Sequence, residues 1–249
     1  MPNSLMIKNN LTSVLYSLAI IIAAFALGNA IINRNKPDNV ISVTGLGEIN
    51  FTSDLIVWEG SFARQDMDMK AASAALSADK AAIEKYLIAK GLDKKSLVFS
   101  SISVENLVTY RYGTNGEVVG QDFAGYKLTQ SVQITSSKID QVEEVSRNIT
   151  ELINDGIQLN SQAPRYYYTK LADLKLSLVS KATKDARERA EKIAEESGSK
   201  IDKLTTAQMG IIQITGQNSG EDYSWGGAYN TSSREKTASI TMKLNYKLD

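Results

Sequence analysis

The chain predicts an α+β fold of two α/β halves, in which antiparallel hairpins pack on helices, preceded by one transmembrane helix. Three patterns carry that expectation. An apolar run fills Leu11 to Ile32, stretches of period two alternate with stretches of helical period beyond it, and one order of elements occurs twice. With 249 residues and 43% apolar content there is material for one large core or two small ones.

No charged side chain occurs from Asn9 to Asn33. As a helix, Leu11 to Ile32 reaches about 33 Å, enough for a hydrocarbon core of roughly 30 Å. Its polar members, Thr12, Ser13, Tyr16, Ser17 and Asn29, are scattered, whereas a soluble helix of this length carries a polar stripe. Small residues at Ala24 and Ala26, or at Ala26 and Gly28, keep a cleaved signal open as an alternative. The run exceeds the usual apolar core of a signal peptide, so an uncleaved anchor is favoured. Lys8 before the run and Arg34, Lys36 and Asp38 after it leave its direction undecided. The chain therefore divides into residues 1–10, the spanning segment 11–32, a polar linker 33–39 in which Pro37 halts the helix, and a domain from 40 to 249.

In the domain, Val40 to Ile49 and Ser53 to Ala63 read as strands of a hairpin, with Ile41, Val43, Ile56, Trp58 and Phe62 as apolar members. Asp66 to Lys90 is helical, with Met69, Ala72, Leu76, Ile83 and Leu87 on one face and Gly91 as its stop. Ser96 to Tyr112 and Gly125 to Ser136 alternate again, through Val98, Ser100, Ile102 and Val104, then Leu128, Gln130, Val132 and Ile134. Asn115-Gly116 between them favours a second hairpin. A second helix spans Lys138 to Asn154 on Ile139, Val142, Val145, Ile149, Leu152 and Ile153, and Gly156 ends it. A strand from Ile157 to Tyr168 follows.

The longest helix, Thr169 to Ser197, has the stripe Leu171, Leu174, Leu178, Ala182, Ala186, Ala190 and Ile193, with Asp185–Arg189 and Glu188–Lys192 as surface pairs. Strands near Lys203 to Thr215 and Thr237 to Leu248 flank a polar loop. Helix, Gly, Lys-containing turn, strand, loop and strand thus describe both Asp66 to Ser136 and Thr169 to Leu248.

Composition removes several function classes. Lys plus Arg equals Asp plus Glu at 28 each, so no net field favours nucleic acid. With neither Cys nor His, disulfides, thiol or histidine catalysis, lipoprotein acylation and the usual zinc sites are absent. No cofactor is expected. Gly45-Leu46-Gly47 follows a strand but lacks the third glycine and the helix of a dinucleotide site; a bulge or a close strand crossing suits it better.

The opening ISVTGLGEI resembles the Ile-x-Val-x-Gly-x-Gly start of the SIMPL domain family (DUF541), also described as the 26 kDa periplasmic immunogenic protein family. Ser53-Asp54 falls where that family has Pro-Asp, so the turn there departs from the pattern. Ala182 to Leu204, ATKDARERAEKIAEESGSKIDKL, resembles the family's Ala-rich helix, Gly and strand, and VQITSSKIDQVEEVSRNITELINDGI its strand, second helix and Gly-Ile exit. The resemblance covers about Val40 to Asp249. It implies a bacterial envelope protein with residues 1–10 in the cytoplasm and the domain outside, in the periplasm, in a family whose members are described as oligomeric and connected to stress tolerance. It supplies no catalytic residues.

Among candidate sites, Glu117 with Asp122 and Glu221 with Asp222 are close carboxylates, more simply read as solvated loop charge than as an acid and base pair. Tyr223, Trp225 and Tyr229 lie in the polar loop from Thr215 to Arg234, where aromatics can anchor a partner or a second copy. Tyr166, Tyr167 and Tyr168 read as two-sided sheet packing. Asn-x-Ser/Thr triplets at Asn10, Asn50, Asn148 and Asn230 are chance occurrences in a bacterial chain. The expectation is a noncatalytic, membrane-tethered protein outside the cytoplasm that forms a homo-oligomer or binds an envelope protein. The alternatives are a soluble periplasmic binding module released by signal cleavage and a carboxylate-based hydrolase.

Overall fold

A computed structural model describes residues 3–34 and 39–249, with side chains placed for 14–31 and 39–249. It has four α-helices and two antiparallel sheets. Helix α1 runs from Asn3 to Arg34 and includes a continuous apolar window, Val14–Ile31, none of which is buried. The helix is thus longer at both ends than the segment 11–32. Most of the expected linker, Pro37 included, lies outside the described residues.

Strands β1 (Val40–Thr52) and β2 (Leu55–Asp66) do not form the expected hairpin. β1 pairs along its whole length with β10 (Glu235–Leu248), and β2 pairs with β5 (Val118–Ser136), in different sheets. The chain passes from one sheet to the other at Ser53-Asp54. Ser53 N–H donates to the Arg234 carbonyl (3.0 Å) and Asp54 N–H to that of Tyr167 (3.1 Å). The Asp54 carboxylate accepts from both the N–H and the hydroxyl of Thr169, at 2.8 and 2.7 Å, where the last helix begins.

The first half follows β2. Helix α2 (Met69–Ala89) is capped by Asp68, which accepts from Lys70 N–H, and ends at Gly91 with φ +88°. β3 (Leu97–Phe99) and β4 (Ser103–Tyr112) both pair with β5. The turn joining β4 to β5 contains Gly116 at φ +81°, as the Asn-Gly pair predicts. Helix α3 (Ile139–Asn148) continues as a 3-10 turn to Asp155 and stops at Gly156, φ +74°. The strand expected over Ile157–Tyr168 is two short ones, β6 (Leu159–Ser161) and β7 (Arg165–Tyr167), both on β2. Pro164, which has no N–H to donate, lies between them.

The second half is helix α4 (Leu171–Glu196), then β8 (Ile201–Met209) and β9 (Gln213–Gly216), both pairing with β10. The internal correspondence therefore reappears as topology. In each sheet the opening strand pairs with the last strand, and a strand that follows the helix lies on the far side: β2-β5-β4 and β1-β10-β8. The first half is inserted between β1 and α4 of the second.

The two cores are built differently. Trp58, Phe62, Leu76, Ile83, Val132 and Ile149 fill the first. Trp58 Nε1 donates to Ser161 Oγ (3.0 Å), which itself donates to the Ser146 carbonyl. In the second, the helix stripe is Leu174, Leu178, Ala182, Ala186, Ala190 and Ala194, and it rests on Gly45 and Gly47. A methyl group on either glycine would collide with α4 backbone, so the Gly-Leu-Gly segment serves a close helix approach. β1 and β10 stay in continuous register there, without a bulge.

Other expected faces need correction at their ends. Ile193 (52% exposed), Met69, Ile153 and Val98 lie outside the cores because each flanks its stripe by one position or falls where helix or strand ends. Leu97 and Phe99 take the inward places that alternation through Val98 assigns to its own set. Asp185 pairs with Arg189 as expected, whereas Glu188 meets Lys184 and Lys192 meets Glu195 and Glu196.

Candidate binding loop and apolar pocket

Residues 217–234 are polar in sequence but held at many points. Gln213, buried at the start of β9, uses its carboxamide as a bracket: Oε1 accepts from Ser224 and Ala228 N–H, and Nε2 donates to the Ser224 carbonyl (2.8 Å). Ala228 to Asn230 then return alongside β9, where Ile214 N–H donates to the Ala228 carbonyl and Asn230 N–H to that of Ile214. Glu221 is not the free loop charge its composition suggests. It accepts from Gly216 N–H and from the Asn230 side chain. Asp222 takes no part in these bonds.

The base of the loop joins the two halves. Lys236 is buried and donates to the carbonyls of Tyr166 and Asn230, and burial pushes its ammonium down to about 8. The three consecutive tyrosines do not pack as one two-sided strand, because β7 ends at Tyr167 and the chain passes there from the first core to the second. Tyr166 packs on the first core and donates to Glu143 (2.9 Å), with burial first and that carboxylate second pushing its phenol up to about 12. Tyr168 packs on the second core against Phe51, ring centres 4.8 Å apart. Arg234 completes the joint with Asp140 at 2.5 Å.

The three aromatics singled out in the loop separate. Tyr229 lies under Lys236, which stands over its ring. Tyr223 (67% exposed) and Trp225 (97% exposed) instead form a wall beside the outer face of the β1-β10 sheet. Between that wall, Ile211 and a floor of Leu46 and Thr241 lies a cavity of about 540 Å³. Leu46 and Thr241 are cross-strand partners, and both point away from α4. A second cavity of about 550 Å³, polar and bordered by Arg64, Lys127 and Asn160, lies on the other sheet.

Two titratable features escaped the sequence reading. Asp79 occupies the buried stripe of α2 and takes a bidentate pair from Arg64, at 2.5 and 2.7 Å. A carboxylate at a helical core position and an inward arginine on the facing strand are the signal that finds it. Asp185 accepts from Leu46 N–H (2.8 Å), a bond which, ahead of Arg189, holds its carboxyl below the ordinary range, while Lys181 donates to the Glu48 carbonyl. Both close the open edge of β1 from the helix above it. Glu117 and Asp122 stay apart, the first accepting from Asn115 N–H and the second paired with Arg111. Among the described residues, no group of three or more Asp or Glu side chains is placed to hold a metal ion.

These features define a two-sheet α+β domain that follows a helix long and apolar enough to cross a membrane. The family model SIMPL, described as a protein of unknown function (DUF541), matches residues 41–245, and the chain belongs to that family. No curated protein matched the chain.

Proposed function

We propose that this chain is a noncatalytic, membrane-anchored protein that works by assembly outside the cytoplasm, with residues 1–10 inside and the domain in the periplasm. The distribution of exposed apolar surface carries the reading. It concentrates on Val14–Ile31 and on the arm formed by β4 and the start of β5, where Val108, Tyr110, Tyr112, Val118 and Phe123 are all exposed. Val108 lies opposite Phe123, so one side of this arm is an apolar ribbon. Exposed strands of this kind invite pairing with another chain unless guarded by charge, and Arg111 and Asp122 satisfy each other on the arm. A second copy is the favoured occupant, and an envelope protein is the other. Buried ionisable groups such as Asp79 and Lys236 are consumed by structural bonds, which fits a scaffold better than a hydrolase.

The lack of native cysteine makes the topology directly testable. In intact cells, a membrane-impermeant maleimide is expected to label Ser219→Cys and to spare Ser4→Cys, with the chain retaining its full mass. Labelling of Ser4→Cys alone would reverse the orientation. Loss of mass at residues 24–28 would establish the released periplasmic module instead.

A further inference from the structure

We propose that the cavity beneath Trp225 binds a neutral, flat ring compound. None of the residues lining it carries a charge, in a chain whose charged content is 22%. An ionic ligand would therefore lose hydration there without gaining a partner. The polar groups present are largely occupied. Gln213 spends its carbonyl oxygen and one amide hydrogen on the loop, and Ser224 Oγ accepts from Gly226 N–H. The Tyr223 and Ser239 hydroxyls face each other at 3.4 Å, a weak bond, and Thr241 is exposed at the floor. A sugar, which needs many directed bonds, finds few free partners; a ring with one hydroxyl or carbonyl group finds enough.

The walls supply the rest of the recognition. Trp225 and Tyr223 offer faces for stacking, with Leu46 and Ile211, each about half exposed, as apolar contacts. The volume of about 540 Å³ falls within the range of small-molecule sites. The Gln213 bracket and the Glu221–Asn230 bond hold the loop backbone on either side of Trp225 before any ligand arrives, so the ordering left for binding is that of the exposed aromatic side chains.

The chain has two tryptophans, Trp58 fully buried and Trp225 almost fully exposed, so fluorine labelling gives one resonance for the site and one for the fold. The 5-fluorotryptophan-labelled full chain in detergent would be titrated with 2-naphthol and with 2-naphthoate, the same ring carrying a charge. The expected result is a saturable shift of the Trp225 resonance with 2-naphthol, a still Trp58 resonance, and binding of 2-naphthoate weaker by about tenfold or more. Ile211→Asp, at an exposed position, is expected to weaken 2-naphthol by a similar factor with the Trp58 signal unchanged. No shift at Trp225, equal affinity for the two naphthalenes, or unaltered binding by Ile211→Asp would each overturn the assignment. So would a Trp225 resonance that moves on diluting the protein alone, since a second copy would then fill the cavity.

Discussion

The two halves share one topology and solve its packing in opposite ways. The first half separates helix from sheet and fills the space with Trp58, Phe62 and large aliphatics; the second brings α4 down onto β1 until glycine meets alanine. The first core is accordingly vulnerable to loss of volume and the second to gain of it. They also differ at the middle strand. On β8 most exposed side chains are polar, among them Asp202, Lys203, Thr205 and Gln208, whereas the arm that includes β4 presents Val108, Tyr110 and Tyr112. The same place in the topology is therefore blunted in one half and apolar in the other, and the proposed assembly rests on the first half.

The largest expected effect is Trp58→Ala, which empties the centre of the first core and costs about 4 kcal/mol in denaturant unfolding. Gly45→Ala adds a single methyl group, yet it should cost about 3 kcal/mol, because the group meets the Ala182 carbonyl and the Ala186 amide, and backbone cannot step aside. An Ala substitution tolerated at Gly45 would break the contrast between the halves. Asp79→Asn removes the bidentate partner of Arg64, whose side chain is 35% exposed and can turn partly to water. That limits the loss to about 2 kcal/mol, detected as a lower melting temperature with unchanged circular dichroism.

Asp185→Ala should cost least, about 1 kcal/mol, since it uncovers one edge amide of β1 and one surface ion pair. Its pH dependence identifies the cause. The carboxyl titrates lower in the folded protein than its ordinary 3.8, so its contribution is present above that value and is lost as pH falls through the folded one. The gap between wild type and Asp185→Ala should therefore be constant near neutrality and close in acid. A gap that persists in acid would assign the effect to packing.

Much of this arrangement was legible in the residues, and the misses have a common origin. Period two in β2 and β5, period 3.6 in α2 to α4, and the glycines at 91, 116, 156 and 198 locate the elements, because local sterics fix them. Pairing is not local. A two-residue link such as Ser53-Asp54 serves a hairpin or a passage between sheets equally well, and only side-chain volume separates the cases: Gly45 and Gly47 suit the alanine stripe of α4, while Trp58 and Phe62 do not. At the candidate site the aromatics were visible as types. That Tyr223 and Trp225 line a cavity while Tyr229 lies against Lys236 depends on Gln213 and Lys236, polar residues whose burial no periodicity announces.

The claim that the apolar arm assembles the protein is tested most directly by the mass of the full chain in detergent, by sedimentation or light scattering corrected for bound detergent. Wild type is expected at a multiple of 27.2 kDa and the double variant Tyr110→Lys, Phe123→Lys at the single-chain mass, both positions being about half exposed, with circular dichroism checking that the fold withstands loss of the Phe123–Tyr126 contact. A wild type of single-chain mass at every concentration, or an assembly that survives both lysines, would contradict it.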